Sequence, residues 1–435
     1  MNWHQRYRLR LWIEDSIWIL PVLSMVVALV LVRSLHQVEV EWGWSSTVDP
    51  NTARAVFGTL AASMFTFIVF VSSALLVAVQ LASATLSPRI IGLVFRDPKT
   101  KLSLTAFVFT FTFTLATLVL IDDHVPQLTA YVAAYGSLLS LGIFLYMLDH
   151  VGKTLRPSGA LWNVAANGRK VIASVYPHRL GEAQQSSVSA IIAPLGEPTR
   201  TIASDRDGAV LAFDIPGLVA LARRNECVIE LAPQVGDFVA KGDPLLHVYG
   251  DAIALSDSRL SNCVAVGQER TLEQDPALAF RIIVDIANKG LSPAINDPTT
   301  AVLALDQIHH LLRSVGVRRL DDERVRDKAG KLRLLYRTPD WEDFVRLAVT
   351  EIRQFGGTSI QIARRMRAML ESLIQTLPVE RGTLLTKELN LLQRSAERSF
   401  PEPEDRAMAQ TSDYQGVGGR HDANRNRRGN DKTTP

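Results

Sequence analysis

Cysteine is nearly absent from this sequence: Cys227 and Cys263 are the two thiols among 435 residues. They show no metal-ligand spacing, which excludes a disulfide framework and a zinc site. His309 and His310 are adjacent, so on a helix they point about 100° apart and cannot chelate one ion as an i, i+4 pair does. No metal and no cofactor is therefore expected. Signatures of catalysis are missing as well. There is no P-loop, nucleophile elbow, zincin pattern or dinucleotide fingerprint, and the paired Asp321 and Asp322 fall in a charged surface segment. No catalytic residue is assigned, and an active site would have to lie around Asp285 to Asp297. Charge of one sign is also lacking. Lys and Arg number 47 against 44 Asp and Glu, a net +3, and no nucleic-acid partner is expected.

Charge is missing from the interiors of four apolar segments, at about 16–35, 56–83, 102–121 and 128–148. Each approaches the ~20 residues that a helix needs to cross the hydrocarbon layer, and only a helix satisfies its own backbone there. The lipid bilayer is thus the first expected partner. An ion-coupled transporter is disfavoured, because such proteins place an ionisable residue near the midplane. Basic residues cluster at Arg6, Arg8 and Arg10, at Arg89, Arg96, Lys99 and Lys101, and at Lys153, Arg156, Arg169 and Lys170. The opposite connections carry Glu39, Glu41, Asp49, Asp122 and Asp123. This asymmetry predicts a cytoplasmic N-terminus and C-terminal region in a bacterial inner membrane.

Two spans carry polar stripes. The second has Thr59, Ser63, Thr66, Ser73 and Gln80 on one helical face, and the third has Ser103, Thr110, Thr114 and Thr117. Small hydroxylated residues serve close helix packing or line a hydrated path. The candidate pore-lining set is Ser63, Thr66, Ser73, Gln80, Thr110, Thr114 and Thr117, and both readings hold if subunits assemble around an axis.

After the spans the pattern divides. The predicted organisation is a four-helix transmembrane domain (1–150), a juxtamembrane helix and linker (151–198), a small all-β module (199–252), a mainly helical module (253–398) and a disordered tail (399–435). The fold class is membrane α-helical followed by a cytoplasmic α+β region. In the β module, "PQVGDFVAKGDPLLHV" places Gly-Asp pairs around Val239, resembling the turn-strand-turn of biotinyl and lipoyl carrier barrels. A barrel-sandwich-like shape is the expectation. No lysine stands between Arg206 and Val239, so no prosthetic group is carried over.

The stretch "NKGLSPAINDPTTA" (288–301) joins two apolar helical runs. Gly290 reads as a stop, and Asp297-Pro298 as a cap with proline at the first helical position. Asp285, Asn288, Ser292, Asn296 and Asp297 offer more hydrogen-bonding groups than one joint needs. They are the candidate contact set for a small ligand or a neighbouring subunit.

"QLASATLSPRI" after the second span, "VGDFVAKGDPLL" and "DIANKGLSPAINDPTTA" together resemble the uncharacterised bacterial predicted membrane protein family (domain of unknown function twenty-two fifty-four), over about residues 10–375. The resemblance implies an inner-membrane setting and no activity. Two functions fit. One is a homo-oligomeric ion channel or pore with a cytoplasmic gating or sensing domain. The other is a non-conducting scaffold or signalling receptor that recruits a cytosolic partner.

Overall fold

A computed structural model of the chain describes residues 2–90, 92, 96–154, 156–181, 195–250, 255–320 and 323–419. Most of the expected linker, Asp321 and Asp322, and the tail from 420 lie outside the described residues. Two compact units are present: 9–160, and 1–8 together with 161–435.

The first unit contains four helices long and apolar enough to cross a membrane. They are α2 (Ile19–Trp42), α3 (Pro50–Thr85), α4 (Pro98–Val119) and α5 (Gln127–Thr154), preceded by α1 (Trp3–Asp15). Asp49 and Asp97 cap α3 and α4 by accepting from Thr52 N (2.9 Å) and Thr100 N (3.2 Å), with proline following each cap. That arrangement satisfies an orphan donor and pre-sets φ for the first turn. α4 is the central helix and packs against α2, α3 and α5. Two short strands, β1 (Ser45–Ser46) and β2 (Val125–Pro126), pair antiparallel across the connections.

α2 runs seven residues past the end expected for the first span and takes in His36, Glu39 and Glu41. Glu39 is therefore not a loop acid. It is 2% exposed, and its carboxylate accepts from Leu128 N, from Thr129 N at 3.0 Å and from Thr129 Oγ1 at 2.6 Å. A side chain on one span thus caps the start of another.

The second unit takes in α6 (Pro157–Val175) from Leu161 onward and builds two sheets. The strands are β3 (Arg200–Ala203), β4 (Gly208–Phe213), β5 (Val228–Leu231), β6 (Phe238–Val239), β7 (Pro244–Tyr249), β8 (Val264–Gly267), β9 (Glu323–Arg326) and β10 (Leu332–Tyr336). One sheet has the order β3-β7-β5-β10-β9 and the other β6-β4-β8. The sheets do not close, which corrects the barrel expectation. The glycine turns explain why. Gly236 (φ 95°) and Gly242 (φ 98°) bracket β6, which pairs with β4. The chain beyond the second turn leaves that sheet and pairs with β3 and β5 as β7. The Gly-Asp pattern therefore hands the chain from one sheet to another.

The module is not all-β either. Asp214 accepts from Gly217 N at 3.0 Å and starts α7 (Ile215–Arg224), whose Leu218 and Ala222 enter the core between the sheets. Nor is the module complete at residue 252. β10, from far along the chain, lies parallel to β5 with Leu334 opposite Ile229.

After a short helix α8 (Asp257–Ser261), a helical layer is built from α9 (Pro276–Gly290), α10 (Pro298–Gly316), α11 (Trp341–Phe355), α12 (Ile360–Thr376) and α13 (Val379–Ser399). α9 is apolar on most sides, burying Phe280, Ile282, Ile283, Val284 and Ile286, and packs against α10 and α11. Gly168 of α6 lets that helix approach closely, since a Cβ there would stand 2.6 Å from Ala279 Cβ. The expected disorder from 399 does not hold up to 419. Phe400 and Ala409, with α14 (Pro403–Ala409) between them, join Ala363 and Ala396 in an apolar cluster.

Candidate functional site

The five loop residues fall into two groups. Ser292, Asn296 and Asp297 make the corner itself. Asp297 accepts from Thr300 N (3.1 Å) and Thr300 Oγ1 (2.5 Å), and so caps α10. Its own N–H donates to Gly290 O at 2.7 Å, while Ser292 Oγ donates to Lys289 O at 2.7 Å. Asn296 has a φ of 49°, in the left-handed region that asparagine tolerates.

Asp285 and Asn288 instead face α11. Arg281 Nε donates to Asp285 Oδ1 at 2.7 Å, and its Nη1 and Nη2 take both oxygens of Glu351 at 2.5 and 2.7 Å. Asn288 Nδ2 donates to the same carboxylate at 2.8 Å. The guanidinium hydrogen bond to Glu351 holds that carboxyl below the usual range. Asn288 Oδ1 is buried and accepts no hydrogen bond among the described residues. Four side chains thus clasp α9 to α11. Arg281 could have been read from its i, i+4 spacing to Asp285, but Glu351, seventy residues past Arg281, left no local signal.

The polar stripes go to different places. On α4, Ser103, Thr110, Thr114 and Thr117 are buried inside the single-chain bundle. Thr110 Oγ1 accepts from Ser140 Oγ at 2.9 Å, Thr117 Oγ1 donates to Phe113 O at 2.8 Å, and Thr114 Oγ1 has no partner among the described residues. On α3, Thr59, Thr66, Ser73 and Gln80 are exposed and Ser63 is half-buried. Thr59, Ser63 and Thr66 donate to carbonyls four residues earlier, at 2.8–3.0 Å. The two stripes do not line a common surface within one chain.

A cavity of about 230 Å³ lies at the other end of α9, lined by Gly236, Asp237, Arg270, Ala277, Phe344 and Leu347 among others. None of the five loop residues lines it. Behind it Asp275 caps α9 and pairs with Arg270 at 2.5 Å, and burial pushes its carboxyl up. No group of three or more His, Cys, Asp or Glu gathers to hold a metal among the described residues. Both cysteines are buried, and burial pushes the Cys263 thiol up to about 11, away from nucleophilic character. Burial, with Arg365 and Arg313 adding to it, pushes His309 down to about 4.

Comparison with known proteins gives no activity to attach to these groups. Two uncharacterised mycobacterial proteins, from Mycobacterium bovis and Mycobacterium tuberculosis, are each 25% identical over 421 residues, covering 91% of this chain and 79% of the relative. No solved structure matches. The profile of the family described as predicted membrane protein (DUF2254) matches residues 14–372, more than half of the chain, and the protein belongs to that family.

Proposed function

We propose that this membrane protein is a homo-oligomeric pore, with α3 turned toward the axis and the α+β region as its gating or sensing module. The observation that carries the reading is the exposed polar face of α3. In a lone chain Thr59, Thr66, Ser73 and Gln80 would meet acyl chains. Internal hydrogen bonds make that tolerable for hydroxyls but less so for the Gln80 amide. A sister chain or a hydrated axis removes the cost. In this reading Ser63, Thr66, Ser73 and Gln80 line the path, while Thr110, Thr114 and Thr117 pack the bundle behind it. The distribution of basic residues supports a cytoplasmic α+β region at a bacterial inner membrane. The 285–297 segment then acts as a stiff joint within the gating module. A non-conducting scaffold that recruits a cytosolic partner is the second reading, favoured by the complete burial of the α4 stripe.

Purified protein in liposomes tests the choice. Fluorescence flux should appear with wild type, fall strongly with Thr66→Leu plus Ser73→Leu, and persist with Thr114→Val. Silent vesicles containing a stable wild-type oligomer would sink the pore and leave the scaffold.

A further inference from the structure

Arg364 on α12 is 4% exposed, yet its guanidinium meets no carboxylate among the described residues. All three nitrogens donate to main-chain oxygens of one segment: Nε to Thr411 O at 3.1 Å, Nη1 to Gly418 O at 2.9 Å and Nη2 to Gly419 O at 2.7 Å. A guanidinium fork matches an oxyanion better, because charge-assisted bonds are roughly twice as strong as bonds to neutral acceptors. Here the carbonyls of the chain's own tail take the oxyanion's place.

The rest of the tail's hold is polar too. Gln361 Nε2 donates to Gly416 O at 2.8 Å, and Ser412 Oγ donates to Glu371 Oε2 at 2.5 Å. Asp413, 1% exposed, accepts from the amides of Gln415, Gly416 and Gly418 and folds the segment on itself. Positive φ at Gly416 and Gly418 (74° and 83°) permits that turn. No apolar side chain between 410 and 419 is buried: Val417 is 75% and Tyr414 47% exposed. The apolar anchor of the tail ends at Ala409. Four carbonyl oxygens of residues 411–419 occupy the Arg364 fork and the Gln361 amide, and these are the bonds that an anion can replace; Asp413 N also donates to Arg364 O at 3.2 Å, and Ser412 and Tyr414 reach Glu371.

We propose that residues 410–419 are a displaceable strap over an oxyanion site, and that its ligand is a phosphate or phosphoryl group taken by the Arg364 fork and the Gln361 amide. The neighbouring Arg365 is held by Asp306 at 2.7 Å. It adds positive potential without offering its fork.

Hydrogen exchange on the full chain in neutral-lipid discs tests this, with inorganic phosphate in one arm and phosphatidic acid in the discs in the other. Chloride at equal ionic strength is the control. Phosphate should speed exchange of Gln415, Gly416 and Gly418 several-fold. Asp413→Ala loosens the strap without touching the fork, and should bind phosphate about tenfold more tightly by calorimetry, as expected when a closed state is relieved. In Arg364→Gln the strap should exchange fast and ignore phosphate. Acceleration by phosphatidic acid alone would identify a lipid headgroup as the source of the phosphoryl group. If neither anion changes exchange, and Asp413→Ala binds no phosphate, the proposal is overturned.

Discussion

The two units satisfy their polar side chains with different groups. In the four-helix unit the bonds are short-range or join neighbouring helices: Thr117 to Phe113 O, Ser137 to Ala133 O, Ser140 to Thr110, Glu39 to Thr129. In the α+β unit guanidinium groups do the joining: Arg333 to Glu226 and Asp327, Arg281 to Glu351, Arg364 to main-chain oxygens of residues 411–419. The difference stems from the surroundings. A lipid-embedded helix has no water to fall back on, so hydroxyls that can bond their own backbone serve there. In the α+β unit a long guanidinium can join separate elements while its stem packs against apolar neighbours.

The largest effect should come from breaking the buried Glu39 carboxylate that joins two spans. Glu39→Ala leaves the Leu128 amide and both Thr129 donors unmet, and should lower stability by about 3 kcal/mol. Glu39→Gln, which keeps one acceptor, should lose less. Apparent melting in detergent checks the order.

The next effect depends on pH. His309 titrates near 4 when folded against an ordinary 6.5, so the unfolded chain takes up its proton first as pH falls. Stability should therefore decline between pH 6.5 and 4, by up to about 3 kcal/mol. His309→Gln should flatten that part of a melting-against-pH curve, and an unchanged curve would remove His309 from the account.

A smaller effect is expected across the α9–α11 clasp, because the Glu351 side chain is 41% exposed. A double-mutant cycle of Arg281→Met and Glu351→Gln should give a coupling of about 1 kcal/mol. The carboxyl is held below its ordinary 4.5. The coupling should thus be complete above pH 4.5 and fade as pH drops through the lowered value.

The smallest contrast is within α4. Thr114→Val replaces a buried hydroxyl that has no partner among the described residues, and should be neutral or raise melting slightly. Thr110→Val breaks the bond to Ser140 and should lower melting, by about 1 kcal/mol. Equal losses would place an unseen partner on Thr114.

Much of the fold is legible along the chain. Asp-Pro pairs at 49–50, 97–98, 275–276 and 297–298 each begin a helix, because cap and proline act within one turn. The spans are legible from length and apolarity, and the strand at 332–336 from its short apolar run ahead of a Thr-Pro turn. Helix α7 is not, since its ten residues sit among strands and its cap Asp214 resembles a turn residue. Periodicity places both hydroxyl stripes on helix faces but cannot say which face meets protein. In a membrane, apolar residues point both inward and outward, so the usual contrast is lost. Glu351, Glu39 and the strap are invisible for related reasons. Partners of the first two are 63 to 90 residues away, and the strap's acceptors are backbone.

The parallel pairing of β10 with β5 also orders biosynthesis. β5 leaves the ribosome about a hundred residues before Leu334, the partner of Ile229. Until then its edge is an open template for wrong pairing. The four spans are translated earlier still, so the nascent chain is tethered at the bilayer while that edge waits. A fragment ending near residue 252 would carry that edge with no strand to cover it.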